Sequence, residues 1–298
     1  MEKEFGGVYA AMFSVYDEQM NVKNDTVKKL VDFYLDNGLK GFYVGGNTGE
    51  CTVLPAKTRK QMLETVVEAN RGRGQIIAHI GAGHYDETMD LLEHADSLDI
   101  DAVSSLPPSL TAYYDEDETY EYYKAIAEKS KHPVFAYIAS QSTGDLLRFA
   151  KRIADVSNVK GLKISISDYY AFGQVKSIGN GRFTVFNGPD ETLVCGLAEG
   201  ADGAIGTSYS IVPSVAVELY ESMKRGDNKR ALEMQRFLNE YIGLALSENL
   251  AYWKAMLECM GFDMGYTVFP ARSVSETEYA ELKTKIAGLE ARRKDMNL

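Results

Sequence analysis

Cysteine is scarce in this chain: Cys51, Cys195 and Cys259 are the only three among 298 residues. They form an odd, widely spaced set with no CxxC pair and no histidine nearby, as in a reduced, cytoplasmic protein without a structural metal. Histidine is nearly as thin. His79, His84, His94 and His132 fall at no metal-ligand spacing, so no metal is expected. His79, inside the apolar run IIAHIG, reads as a hydrogen-bonded core histidine. Basic charge is in deficit, with 32 Lys and Arg against 43 Asp and Glu and a formal net charge of −11. That balance argues against nucleic acid as a partner, since nucleic acid requires a basic face. No apolar run approaches the ~18–20 residues of a membrane span. The opening MEKEFGGVYAAMF also lacks the basic region, apolar stretch and cleavage site of a secretory signal. Missing too is the glycine-rich dinucleotide fingerprint after the first strand, which argues against an open doubly wound sheet.

What the chain has instead is alternation. Strand-like apolar runs at 7–13, 41–44, 75–80, 101–106, 133–137, 159–163, 182–186 and 201–205 are each followed by a helical pattern. The helical patterns cover 24–37, 55–70, 85–98, 118–131, 144–157, 168–178, 190–199 and 213–225. Asn24 suits an N-cap and Pro55 a first helical turn. Eight such units predict an α/β fold of the (β/α)8 TIM-barrel type, whose typical length is about 250 residues. Beyond Asp227 only helical patterns remain, at 231–246, 248–260 and 276–294. The expected division is a barrel over 1–225 and a C-terminal three-helix extension over 226–298, packed on the barrel. The basic run ARRKD at 291–295 reads as a solvated helix end.

In such a barrel, chemistry sits at the C-terminal ends of the strands. Strand six, VKGLKIS, carries a lone lysine, Lys163, at its end. Taken alone, this is a lysine snorkelling to solvent. Its neighbours at the same rim change the reading. After strand two comes GGNTGE (45–50), whose glycines let consecutive N–H groups and the Thr48 hydroxyl turn toward one anion. Strand five ends in Tyr137, strand seven in NGPDE (187–191) and strand eight in GTSY (206–209). A lysine and a tyrosine on adjacent strands, beside an anion-binding loop, point to an imine-forming aldolase site. Asp190 and Glu191 can accept hydroxyl donors, or Asp190 can simply cap the helix that follows.

Four segments carry a wider likeness: GFYVGGNTGE (41–50), IIAHIG (76–81), GLKISISDYY (161–170) and FNGPDETLVCGLAEGADGAIGTSYSI (186–211). In order and spacing the chain resembles the N-acetylneuraminate lyase/dihydrodipicolinate synthase family from about residue 7 to 282, nearest the N-acetylneuraminate lyase branch. The resemblance implies a homotetrameric aldolase in which Lys163 forms a Schiff base with pyruvate and no other cofactor is needed. It implies that Tyr137 relays a proton and that Thr48 and its loop hold the pyruvate carboxylate. Ser165, Gly188, Asp190, Glu191 and Thr207 fall at positions that contact the sugar portion.

Some positions depart from that pattern. Asn47 stands where the lyase branch has a serine, which removes a hydroxyl relay to Tyr137. PPSLTAYY carries an extra residue after strand four, so Tyr113, Tyr114 or neither would serve as the tyrosine that enters a neighbouring subunit's site. Ile138, Ala139 and Ser140 replace a common proline, and Ser14-Val15 a Thr-Pro pair. The expected reaction is cleavage of N-acetylneuraminate, or a related 2-oxo sugar acid, to pyruvate and an amino sugar. Dihydrodipicolinate synthase is the first rival, weakened by Gln141 and Ser142 where that branch carries an arginine. A sugar-acid aldolase or dehydratase of the same family is another. A non-catalytic pyruvate-binding barrel is the rival of a different class.

Overall fold

Parallel strands joined by helices can bury both faces only by closing or by stacking layers, and here they close. The computed structural model describes residues 4–108, 114–139, 145–178, 183–245 and 249–298. Its strands are β1 (Gly7–Ala11), β2 (Gly41–Val44), β3 (Gln75–His79), β4 (Ala102–Ser105), β5 (Val134–Ala139), β6 (Val159–Ser165), β7 (Thr184–Asn187) and β8 (Gly203–Gly206). They pair in sequence order as one closed barrel, β8 returning to β1 through the register Gly7↔Gly203 to Ala10↔Gly206. Around it run α1 (Asn24–Asp36), α2 (Ala56–Asn70), α3 (Tyr85–Ala95), α4 (Glu116–Lys129), α5 (Leu146–Ile153), α6 (Tyr169–Lys176), α7 (Leu193–Ala198) and α8 (Pro213–Arg225). This is the (β/α)8 barrel that the alternation predicts. Gly226, in the left-handed region at φ 77°, closes α8. The chain then continues as α9 (Asn228–Ala245), α10 (Leu250–Cys259) and α11 (Glu276–Asp295).

The core lies in two shells. Between strands and helices runs the larger one, to which α1 contributes Val27, Leu30, Val31 and Tyr34, the face read from its periodicity. Inside the barrel the filling is aromatic. Phe5, Tyr9, Phe135 and Phe186 stack edge-on or tilted at 5.0–5.3 Å between ring centroids and close the N-terminal end. Above them come Tyr43, Tyr137 and Lys163, on the same inward face as the floor because side chains alternate along a strand. Gly161 makes room for that filling, since a Cβ there would stand 1.9 Å from the Thr184 carbonyl oxygen and 2.9 Å from the Phe135 ring.

Several details differ from the sequence reading. Strands β5 and β6 run two residues past Tyr137 and Lys163, because Ile138↔Ile164 and Ala139↔Ser165 extend the ladder. The helix expected over 190–199 is a 3₁₀ turn at Asp190–Thr192 followed by α7. The ARRKD run is more than a solvated end. Arg292 reaches Glu240 of α9 at 2.8 Å, and Arg293 binds Glu290 and the Leu298 carbonyl. Tyr113, Ser140, Gln141 and Ser142, singled out above, lie outside the described residues. Tyr114 is described, exposed and away from the cavity discussed next.

Candidate active site

The register Tyr137↔Lys163 sets the two side chains at one level of the barrel wall. Tyr123 of α4 fixes the tyrosine's backbone by donating to the carbonyls of Ser105 and Tyr137, at 2.8 and 2.9 Å. Lys163 is buried at 6% exposure. Its Nζ lies 4.2 Å from the centroid of the Tyr137 ring and 4.5 Å from that of Tyr43. Such ring faces hold a cation by up to about 2 kcal/mol when desolvated. Among the described residues no carboxylate lies within 4 Å of that nitrogen, so no salt bridge ties up the amine.

Across the cavity stands the loop after β2. Its carbonyls are fastened from behind, one after another. Gly45, at φ 77°, takes a hydrogen bond from His79 Nδ1 at 3.0 Å and a longer one from Arg59. The Gly46 and Asn47 carbonyls accept from the N–H groups of Cys51 and Glu50. Ser14 Oγ donates to the Gly49 carbonyl at 2.8 Å, and Arg59 to that of Cys51. Carbonyl and N–H point opposite ways across a trans peptide, so this turns the N–H groups of Gly46, Asn47 and Thr48 away from those partners. These three residues line the cavity, and among the described residues their N–H groups donate to no protein acceptor. The result is an anion cradle.

His79 belongs to that scaffold. The Leu106 N–H donates to its Nε2 at 3.1 Å, which leaves the proton on Nδ1 for the Gly45 carbonyl. Burial, reinforced by the charge of Arg59, holds its pKa well below the ordinary value and keeps the ring neutral. It is the hydrogen-bonded core histidine read from the sequence.

The cavity holds about 250 Å³ and is lined by seven of the nine predicted site residues: Asn47, Thr48, Tyr137, Lys163, Gly188, Asp190 and Thr207. Thr48 Oγ1 and Thr207 Oγ1 meet at 2.7 Å and join the loops after β2 and β8. Ser165 stands behind Tyr137, donating to its phenol oxygen at 3.3 Å, and does not line the cavity. Glu191 is exposed, and its side chain lies outside the lining. Asp190 does not cap the helix that follows it. Its Oδ2 accepts from the Ser208 N–H at 2.6 Å, which ties the β7 loop to the β8 loop. Burial raises its pKa to about 6 against the pull of the Ser208 hydrogen bonds. From outside, Gln235 and Asn239 of α9 donate to the Asp190 and Glu191 carbonyls.

Sequence reasoning missed Tyr43, Arg59 and a buried pair, Glu50 and Lys254, at 2.7 Å. Arg59 and Lys254 carried a signal: each is a charge on an apolar face of its helix, beside Met62 and Leu63 or Ala251 and Leu257. Among the described residues, no group of three His, Cys, Asp or Glu is placed to hold a metal ion. Nor is any helix there long and apolar enough to cross a membrane.

Comparison with known proteins agrees with this fold. The family model described as the dihydrodipicolinate synthetase family matches residues 4–288. N-acetylneuraminate lyase 2 of Escherichia coli is 31% identical over 266 residues, 88% of this chain and 86% of that protein. The solved structure of Proteus mirabilis N-acetylneuraminate lyase superposes with a TM-score of 0.89 at 26% identity, covering 96% of this chain and 99% of that one. A catalytic lysine mutant of Ruminococcus gnavus sialic acid aldolase superposes at 0.88 and 26% identity, covering 97% of each chain.

Proposed function

The chain belongs to the dihydrodipicolinate synthetase family and is a carbon–carbon lyase, and from that premise we propose that it is a class I, lysine-dependent pyruvate aldolase. Its substrate is N-acetylneuraminate or a related 2-oxo sugar acid, cleaved to pyruvate and an amino sugar. The observation that carries this reading is a buried lysine that, among the described residues, has no carboxylate partner and faces across one cavity a loop whose N–H groups meet no acceptor there. An aldolase relative with a catalytic lysine supports it.

In this reading the substrate carboxylate lies against Thr48 and the N–H groups of the β2 loop. That places the C2 ketone at Lys163 Nζ. The neutral amine adds to C2, a proton is taken up and water leaves, giving a protonated imine. Removal of the proton from the C4 hydroxyl then breaks the C3–C4 bond. The electron pair passes into the imine as an enamine while C4 becomes the aldehyde of the amino sugar. Tyr137, beside Nζ, relays the proton together with the substrate carboxylate. Protonation at C3 and hydrolysis of the imine free pyruvate and restore the amine. The imine is itself the electron sink, so neither metal nor organic cofactor is required. Asp190, at the cavity wall, accepts hydroxyls of the sugar portion. The homotetramer and cytoplasmic location implied by the resemblance belong to the same proposal.

Incubation with pyruvate and borohydride tests it, read by intact mass and peptide mapping. The expected result is one reduced adduct at Lys163, absent from Lys163→Arg, whose guanidinium stays protonated. Tyr137→Phe is expected to keep the adduct and lose turnover of the sugar acid by about 10²–10⁴-fold. An adduct at another lysine, or none, would overturn the imine assignment.

A further inference from the structure

Behind the anion cradle, on its far side from Lys163, lies the pair Glu50 and Lys254. Their side chains are 4% and 3% exposed, and Lys254 Nζ stands 2.7 Å from Glu50 Oε1. Tyr16 donates a short hydrogen bond to the other carboxylate oxygen, and the lysine sits 4.4 Å from the centroid of the Tyr16 ring. Lys254 also donates to the Tyr266 carbonyl at 2.7 Å, while the Tyr266 N–H donates to the Tyr16 carbonyl at 2.8 Å. The loops after β1 and β2, helix α10 and the segment at Gly265 and Tyr266 thus form one closed circuit.

A pair taken this far from water seldom stabilises more than a packed apolar pair would. Its placement is the informative part. Glu50 has φ 62°, a left-handed backbone that a side-chain-bearing residue keeps only where its surroundings hold it. Its N–H closes the turn onto the Asn47 carbonyl, so any movement of Glu50 swings the peptide joining Asn47 to Thr48. That peptide carries one of the N–H groups of the cradle.

We propose that Lys254, in the C-terminal helices, is a positioning residue for the carboxylate-binding loop, acting through Glu50. The inference rests on the anion-binding reading of that loop given above. It goes further by making affinity for the acid end of the substrate depend on a residue outside the barrel.

The test uses the full-length chain and four variants: Lys254→Met, Glu50→Gln, the two combined, and Tyr16→Phe. One readout is the pyruvate concentration giving half-maximal borohydride trapping at Lys163. The other is hydrogen exchange of the amides at 45–51, which needs no substrate. Each charge-removing single variant is expected to raise half-saturating pyruvate about tenfold or more, with trapping at saturation unchanged and loop exchange faster. The double variant, which leaves no charge without a partner, is expected to return to within about threefold of the native chain. Recovery of that kind would not follow from general damage. Tyr16→Phe deletes one hydroxyl, keeps the pair and is expected to cost about threefold; with the double variant it decides the matter if the singles do not fold. A folded Lys254→Met with native half-saturation and native exchange overturns the proposal, as does a double variant no better than the worse single. If the native chain traps no pyruvate, the aldolase reading fails instead. Loop exchange then decides alone, faster in Lys254→Met supporting the inference and unchanged overturning it.

Discussion

Asp190 is a carboxylate that the fold would rather keep protonated. Its pKa is about 6 in the native protein, against an ordinary value of 3.8, and burial is the cause. The folded chain therefore binds this proton more tightly than the unfolded chain. Raising the pH from about 4 to 6 must erode stability, and above that window the loss is complete, roughly 2–3 kcal/mol at 1.36 kcal/mol per unit. Asp190→Asn keeps an acceptor for the Ser208 N–H and removes the charge. It should be more stable than the native chain at pH 8 by up to that amount and equal to it near pH 4, as urea unfolding at both values would show. A pH-independent difference would mean that buried charge is not the source. A charge held at such a cost on a cavity wall fits the role proposed above for Asp190, accepting hydroxyls of the substrate. Lys163, Tyr137 and Thr48 were legible because each ends or follows a strand at the same rim of the barrel, where together they suggest a site that none suggests alone. The Ser208 N–H that ties down Asp190 was not, since a backbone donor leaves no trace in residue type.

Two glycines separate what an element tolerates from what the barrel demands. In the middle of α11, Gly288 is exposed, and a Cβ would meet nothing within 4 Å. Gly288→Ala removes unfolded-state freedom at no steric cost and should stabilise the chain by about 0.5–1 kcal/mol. In β6, a Cβ on Gly161 would run into the backbone of β7. Gly161→Ala should shift the urea midpoint the opposite way and by a larger amount; similar midpoints would show that the barrel relaxes more than its packing suggests. The order and type of the elements were legible because alternation and periodicity repeat along the chain. Their ends were less so. β5 and β6 extend each other by pairing, a property of two strands that neither shows alone. The 3₁₀ turn at Asp190–Thr192 is likewise set from a distance, by Gln235 and Asn239 holding the Asp190 and Glu191 carbonyls.

At the scale of the whole molecule, the helices after Arg225 touch both sides of the cavity: α9 through the β7 loop and α10 through Glu50. A sequence pattern can announce such helices, but their grip depends on side chains meeting across long stretches of chain. Inside the barrel, toward its N-terminal end, the rings of Phe5, Tyr9, Phe135 and Phe186 pack against one another and are buried, which fills that end with side chains. Everything that enters by the mouth must leave by it. In the proposed reaction the three-carbon fragment is covalently attached at depth, so the aldehyde fragment nearer the rim would depart first. The fold thereby imposes a queue. Its kinetic trace would be pyruvate inhibiting competitively against the sugar acid while the amino sugar inhibits non-competitively. Competitive inhibition by both would show the two fragments leaving in either order, past a floor that offers no second exit.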